Sequence, residues 1–200
     1  RTGMGAARED VNVSCEGGNR VEIKGVAHIR WIPELSHNEA FRQYSLLNIR
    51  SKLLKRIEDP AAWSAKTKEI TEREQEFHFA PVRSALDRGD RVIALNLPGC
   101  RGILSHFTQP GRIFADEISD RLKVIACIEK PNMTHSEEIA GGNFNNLFPE
   151  LAIWLSADAG DAQIILWGPG EDIPTAIETV EERIRLAFAG VPNETRKAFE

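Results

Sequence analysis

Asp10, Asn12, Glu22 and Lys24 are residues whose types and spacing suit chemistry. Asp10-Val11-Asn12-Val13-Ser14 alternates polar and apolar, and Arg20-Val21-Glu22-Ile23-Lys24 does the same. Cys15-Glu16-Gly17-Gly18-Asn19 lies between them, so the spacing predicts a β-hairpin with a glycine-bearing loop. A period of two places Val11, Val13, Val21 and Ile23 on one face. Asp10, Asn12, Ser14, Arg20, Glu22 and Lys24 fall on the other. Carboxylates and an amide oxygen can hold a hard cation such as Mg²⁺, and cations beside them can meet phosphate oxygens. That is the equipment of phosphoryl transfer. The same residues would equally form the solvated face of a two-sided hairpin, and spacing alone does not separate the two.

Other motifs offer less. Gly3-Met4-Gly5-Ala6-Ala7-Arg8 lacks the third glycine of a dinucleotide fingerprint and precedes a strand rather than a helix. Trp167-Gly168-Pro169-Gly170 does lead from a strand into a helix, but Glu171 and Asp172 would repel phosphate at that positive end. A tight turn with an acidic N-cap is expected there. The five histidines form no HxH or HExxH, and there is no GxSxG. Cys15, Cys100 and Cys127 are far apart with no CxxC, which predicts buried free thiols rather than a zinc ribbon or a disulfide framework. Arg42, Arg50, Lys52, Lys55 and Arg56 could follow a nucleic-acid backbone or simply cover a helix surface.

The elements that must position these residues read as a mixed α+β chain. Ser36-His37-Asn38-Glu39 fits a capping box, opening a helix that Asp59-Pro60 closes. Phe41, Tyr44, Leu47, Leu54 and Ile57, widened by Leu46, Ile49 and Leu53, form its apolar arc. Arg50 falls in that arc and needs an acidic or phosphate partner. A charged connecting region over 58–90 holds a short strand and a helix near 81–88. Strands follow at 91–97 and 162–167. Helical stripes run through Phe114, Ile118, Leu122 and Ile125, through Phe144, Leu147, Leu151 and Trp154, and through Ile173, Ile177, Val180, Ile184 and Phe188.

The 200 residues carry a net charge of −5, unevenly spread. Residues 1–56 hold ten Lys/Arg against six Asp/Glu, a net of +4, and the remainder holds fifteen against twenty-four, a net of −9. A basic front and an acidic back suggest two units, 1–90 and 91–200. No window reaches the ~18 uncharged apolar residues of a membrane span, and no signal peptide is visible. The chain opens Arg1-Thr2-Gly3 without an initiator Met, as expected of an excised fragment.

Gly5-Ala6-Ala7-Arg8-Glu9-Asp10-Val11-Asn12-Val13-Ser14 and Arg20-Val21-Glu22-Ile23-Lys24-Gly25-Val26 resemble the paired core motifs of the B/E family of tRNA-dependent amidotransferase subunits. The B branch typically has a related "AN-S … EIKN" pair. The "VNVS … EIKG" here looks like the E branch, although that branch more often carries Gln where Glu9 stands. His28-Ile29-Arg30-Trp31-Ile32-Pro33-Glu34-Leu35 resembles the same branch. Pro110-Gly111-Arg112-Ile113-Phe114-Ala115-Asp116-Glu117-Ile118-Ser119-Asp120-Arg121 resembles the GAD domain, an insert shared by the E branch and bacterial-type aspartyl-tRNA synthetases. Gly190 to Arg196 resembles its closing segment. The resemblance covers most of residues 1–197.

It implies a β-hairpin and helix from the rear of a cradle domain (1–90), followed by a compact α+β GAD insertion domain (91–200). The implied activity is that of a cytoplasmic ligase. Glutamate misloaded on tRNA(Gln) is phosphorylated by ATP, and ammonia from a glutaminase (amidase) partner subunit then displaces the phosphate. ATP and Mg²⁺ are the implied cofactors. Glu22 belongs to the family's metal-holding acidic set, with Asp10 and Asn12 in support, and Lys24 and Arg8 are implied phosphate neighbours. The family's site also takes a His and acidic ligands from a more N-terminal part, so the 200 residues alone are not expected to turn over. The alternative is a non-catalytic tRNA- or subunit-binding module, the GAD domain serving as it does in aspartyl-tRNA synthetase. A stray synthetase fragment is a third reading, which the paired hairpin motifs oppose.

Overall fold

A computed structural model describes residues 9–76, 79–138 and 147–198. The glycine-containing segment Gly3 to Arg8, and Phe144, lie outside the described residues.

Strands β1 (Glu9–Val13) and β2 (Val21–Val26) form the expected antiparallel hairpin. Val21 and Ile23 are buried, while Asp10 and Asn12 are exposed. Helix α1 spans Ile32–Arg56 and starts earlier than the Ser36 box predicts. Pro33 lies in its first turn, where a fixed φ and a missing N–H suit helix initiation. Ser36 and Glu39 are therefore interior residues. Asp59 caps a short 3-10 turn at Pro60–Ala62 by accepting from the Ala61 and Ala62 amides at 3.0 and 3.3 Å. Next come strand β3 (Lys66–Glu69) and helix α2 (Ala80–Asp87), the short strand and helix expected of that region.

Strand β4 (Arg91–Leu97), strands β5 (Phe107–Gln109) and β6 (Arg112–Ile113), helix α3 (Phe114–Ile125) and strand β7 (Met133–His135) follow. Helix α4 (Leu147–Trp154), strand β8 (Ala162–Gly168), helix α5 (Ile173–Ala189) and strand β9 (Glu194–Lys197) complete the order. Asp172 is the N-cap of α5, but its side chain makes no cap bond; Pro174 opens the first turn instead.

The main sheet is antiparallel in the order β3-β4-β8-β7. Its central strands β4 and β8 are buried almost throughout, because helices cover both faces. Ile93, Leu95, Leu97, Ile164 and Leu166 point into a large core shared with α3, α5 and Leu46, Ile49 and Leu53 of α1. The alternate residues Val92, Ala94, Ile165 and Trp167 pack with Val82, Ala85, Leu147 and Leu151 of α2 and α4. Each of these two clusters draws on residues from both sides of position 90.

The apolar arc of α1 is displaced from the predicted one. Leu46, Ile49 and Leu53 are fully buried, but Tyr44 is 64% exposed and Phe41 is 40% exposed. The inward stripe of the first half of the helix is polar instead: Glu39, Arg42, Gln43 and Ser45 are buried there. Arg50 is exposed rather than enclosed and donates from Nε to the Phe188 carbonyl at 3.2 Å, so a backbone oxygen serves where an acid or phosphate was expected. All three cysteines are free, but only Cys100 is buried; Cys127 is exposed. Among the described residues, no helix is long and apolar enough to cross a membrane.

Candidate active site and the buried ion pairs behind it

The hairpin register sets Asn12 directly opposite Glu22. Cross-strand partners lie within ~5.5 Å at Cβ, so both side chains stand over one patch of sheet. Two residues along β2, the Lys24 ammonium lies 3.4 Å from Glu22 Oε2. Asp10 is different. The register shifts between Glu9 and Val11, and Asp10 sits at that irregularity. Its Oδ1 accepts from the Gly25 amide at 3.3 Å. The structure therefore brings Asn12, Glu22 and Lys24 together, with Asp10 at the bend beside them. Arg8 lies outside the described residues.

The bend explains the glycine of the VEIKG motif. Gly25 has φ +76°, and a Cβ built there would meet nothing within 4 Å, so backbone conformation rather than space selects the residue. Only Gly, and less readily Asn or Asp, adopts this region at little cost. An Asn at this position, as in the related EIKN motif, satisfies the same requirement. Gly25→Asn should leave stability within about 0.5 kcal/mol, whereas Gly25→Val should cost about 1–2 kcal/mol. Urea denaturation of both variants checks this, and equal losses would show that φ is not the reason.

A third strand reaches this face. β9 runs parallel to β2, with Thr195 opposite Glu22 and Lys197 opposite Lys24. Thr195 Oγ1 donates to Glu22 Oε2 at 3.5 Å. The hairpin motifs predict neither residue as part of the site.

Hard oxygen donors suit magnesium chemically. Here they form a partial set: among the described residues, no group of three or more His, Cys, Asp or Glu side chains could hold a metal ion. Glu22, with Asn12 beside it, fits as one side of such a site and needs donors from elsewhere.

Behind the sheet, the opposite side chains of β9 enter a network of ion pairs. Arg42 is 3% exposed. It donates from Nε to Glu117 Oε1 at 2.8 Å and lies 2.6 Å from Glu194 Oε1. Arg183 is fully enclosed and donates to Glu117 Oε2 at 2.7 Å, with its guanidinium 4.3 Å from the Phe114 ring centroid. Among the described residues, Arg183 Nε and Nη1 have no hydrogen-bond partner. Arg196 donates to Glu39 Oε2 at 3.2 Å, and Gln43 joins Glu39 Oε1 to the Val13 carbonyl at 3.1 and 3.0 Å. Burial works against ionising Glu117, but Arg183 and Arg42 outweigh it and hold its carboxyl far below the usual carboxylate range. Burial likewise opposes the Arg42 charge, and Glu117, Glu194 and Glu39 outweigh it, raising its pKa. Burial lowers that of Arg183.

This arrangement removes Arg42 from the basic stripe predicted along α1. Arg56 is engaged too, donating to the Gly99 and Arg101 carbonyls. A cleft of about 690 Å³ opens against the network, lined by Arg42, Arg112, Arg121, Lys123 and Arg196 among others. Each of these cations has a carboxylate partner, respectively Glu117, Asp120, Glu194, Glu129 and Glu39. The cleft is thus a poor phosphate trap despite its arginines.

Known proteins include relatives of this chain. Residues 1–87 of the chain match the GatB/GatE catalytic domain. Its curated relatives are more particular. The E-type subunit of the glutamyl-tRNA(Gln) amidotransferase of Sulfurisphaera tokodaii is 35% identical over 203 residues, covering 100% of this chain and 32% of its own length. That of Caldivirga maquilingensis is 35% identical over 201 residues, covering 100% and 32%. That of Methanocaldococcus jannaschii is 34% identical over 202 residues, covering 100% and 31%. The chain spans about a third of the length of these relatives.

Proposed function

We propose that the chain is part of a tRNA-binding kinase and amidation subunit, a ligase that converts glutamate on tRNA(Gln) to glutamine in the cytoplasm. ATP activates the side-chain carboxyl as an acyl phosphate, and ammonia from a glutaminase partner subunit displaces the phosphate. The observation that carries this reading is the cross-strand pair Asn12 and Glu22 with Lys24 alongside, presented on an open sheet face.

Each side chain has a role suited to its chemistry. Glu22 would hold Mg²⁺, together with donors from outside the described residues. Bound there, the ion would neutralise phosphate charge. Lys24 offers its ammonium to phosphate oxygens, and its contact with Glu22 keeps that ammonium over the face. Arg8 is assigned the same task from the segment preceding β1. The Asn12 amide would add an oxygen donor on the same face, opposite Glu22. Asp10 holds the bend at Gly25 and so the line of β2. Phosphoryl transfer asks mainly for such positioning and charge neutralisation. Residues 1–90 would form the rear of the cradle and residues 91–200 a GAD domain.

The incomplete donor set supports a second reading, in which the chain is a non-catalytic module that contacts tRNA or another subunit. Glu22→Gln in the full-length subunit separates the two. Loss of amidation with an intact fold supports the catalytic reading, and undiminished amidation defeats it. The 200 residues alone should show no ATP- and Mg²⁺-dependent amidation in a single-turnover assay with charged tRNA. Turnover by them would overturn the view that donors come from elsewhere.

A further inference from the structure

β9 is joined to the hairpin across about 170 residues of chain, and its alternation gives it two jobs. Glu194 and Arg196 face inward. Glu194 lies 2.6 Å from the buried Arg42, and Arg196 donates to the buried Glu39. A slip of one residue would turn both charges out and Thr195 in, so these pairs fix the register. Thr195 therefore stays on the outer face, opposite Glu22.

There its hydroxyl donates to Glu22 Oε2, the same oxygen that Lys24 approaches along the strand at 3.4 Å. A glutamate on a partly open sheet face otherwise samples several rotamers, and holding it in one is what a ligand or an electrostatic partner requires. Two contacts on one oxygen, one across the strands and one along them, restrict that freedom.

We propose that Thr195 is a positioning residue for the Glu22 carboxylate, kept in register by the ion pairs of Glu194 and Arg196. The proposal rests on the catalytic reading of Glu22. It gives the segment that closes the second half of the chain a direct part in the site of the first.

The test uses the full-length subunit in its complex. Thr195→Val keeps the β-branched shape and removes the donor, and Thr195→Ser restores the donor without the methyl. Two quantities are read: the Mg²⁺ concentration for half-maximal amidation, and the equilibrium affinity for Mg²⁺–ADP by calorimetry. With Val, both should weaken by about fivefold to tenfold, the size of one lost hydrogen bond of ordinary net strength, as suits a 3.5 Å contact on an exposed face. The KM for tRNA and the melting temperature should not move, and Ser should recover both quantities to within about twofold. Thr195→Ala serves as the donorless variant if Val does not fold, with the same expectation. A donorless variant with unchanged Mg²⁺ dependence and nucleotide affinity, beside an inactive Glu22→Gln, overturns the proposal alone. So does Ser as impaired as Val. An active Glu22→Gln overturns the proposal together with the catalytic reading beneath it.

Discussion

Glu22→Gln in the full-length subunit should lower amidation of charged tRNA by on the order of 10²–10³, the scale of losing one preorganised electrostatic partner of a transition state. The substitution removes one negative charge and almost nothing else. Glutamine keeps the length and shape of glutamate, so the pairing with Asn12 across the hairpin and the β9 register persist. Its amide oxygen can still accept from Thr195. The lost contact with Lys24 is partly exposed, with side chains 40% and 26% accessible, and such pairs are worth about 0–1 kcal/mol. Stability should therefore change by no more than about 1 kcal/mol. The measurement is single-turnover amidation with ammonium chloride in place of glutamine, which bypasses the glutaminase step, beside a thermal melt of the same preparation. A defect that disappears at saturating ammonia would place Glu22 on the ammonia route rather than at the phosphorylation site. A defect of twofold or less would defeat the assignment.

The legible parts of this fold are those governed by a local period. β4, β8, α3 and α5 fall where their apolar patterns place them, because each buries a long stripe against its neighbours. The hairpin's alternation likewise placed Asn12, Glu22 and Lys24 on one face. Errors arise where a local pattern has two readings or where partners are remote. Ser36 and Glu39 have capping-box spacing, yet Pro33 sets the start of α1 and Glu39 turns inward to Arg42 and Arg196. Phe41 and Tyr44 lie exposed because that inward stripe is taken by charge. Glu194-Thr195-Arg196-Lys197 contains no apolar residue and gives no sign of a strand; only its ion pairs and its remote partner β2 make it one. One signal was present in the sequence. Arg183 interrupts the apolar stripe Ala176, Val180, Ile184 and Ala187 of α5, and a charge in a buried stripe demands a carboxylate somewhere in the fold. Which carboxylate could not be read, since Glu117 lies 66 residues away.

That carboxylate carries the second large effect. Glu117→Gln should destabilise the chain by about 3–5 kcal/mol, the usual cost of breaking a buried ion pair by removing one partner. Arg42 would keep Glu39 and Glu194, at 3.5 and 2.6 Å. Among the described residues, Arg183 would keep no carboxylate, and two of its nitrogens already lack partners. It is fully enclosed, and the Phe114 ring cannot replace a charge. The uncompensated guanidinium, not the missing attraction, is the larger part of the loss. Removing both members should therefore restore most of the stability: Glu117→Gln with Arg183→Met is expected to be more stable than Glu117→Gln alone, as urea denaturation would show. A double variant no better than the single one would mean that Arg183 is not the strained group. The pH dependence carries an independent check. Glu117 is held below its ordinary value of 4.5, so its contribution is fully present above that pH and is lost as the pH falls towards the folded-state value. The native chain should lose stability steeply below pH 4.5, and Glu117→Gln, having nothing there to protonate, should lose it less steeply. Because Glu194 and Arg196 hang from the same network, this variant should also loosen β9. It should then weaken Mg²⁺–ADP binding in the full-length subunit, in the same direction as Thr195→Val, without any change on the outer face itself.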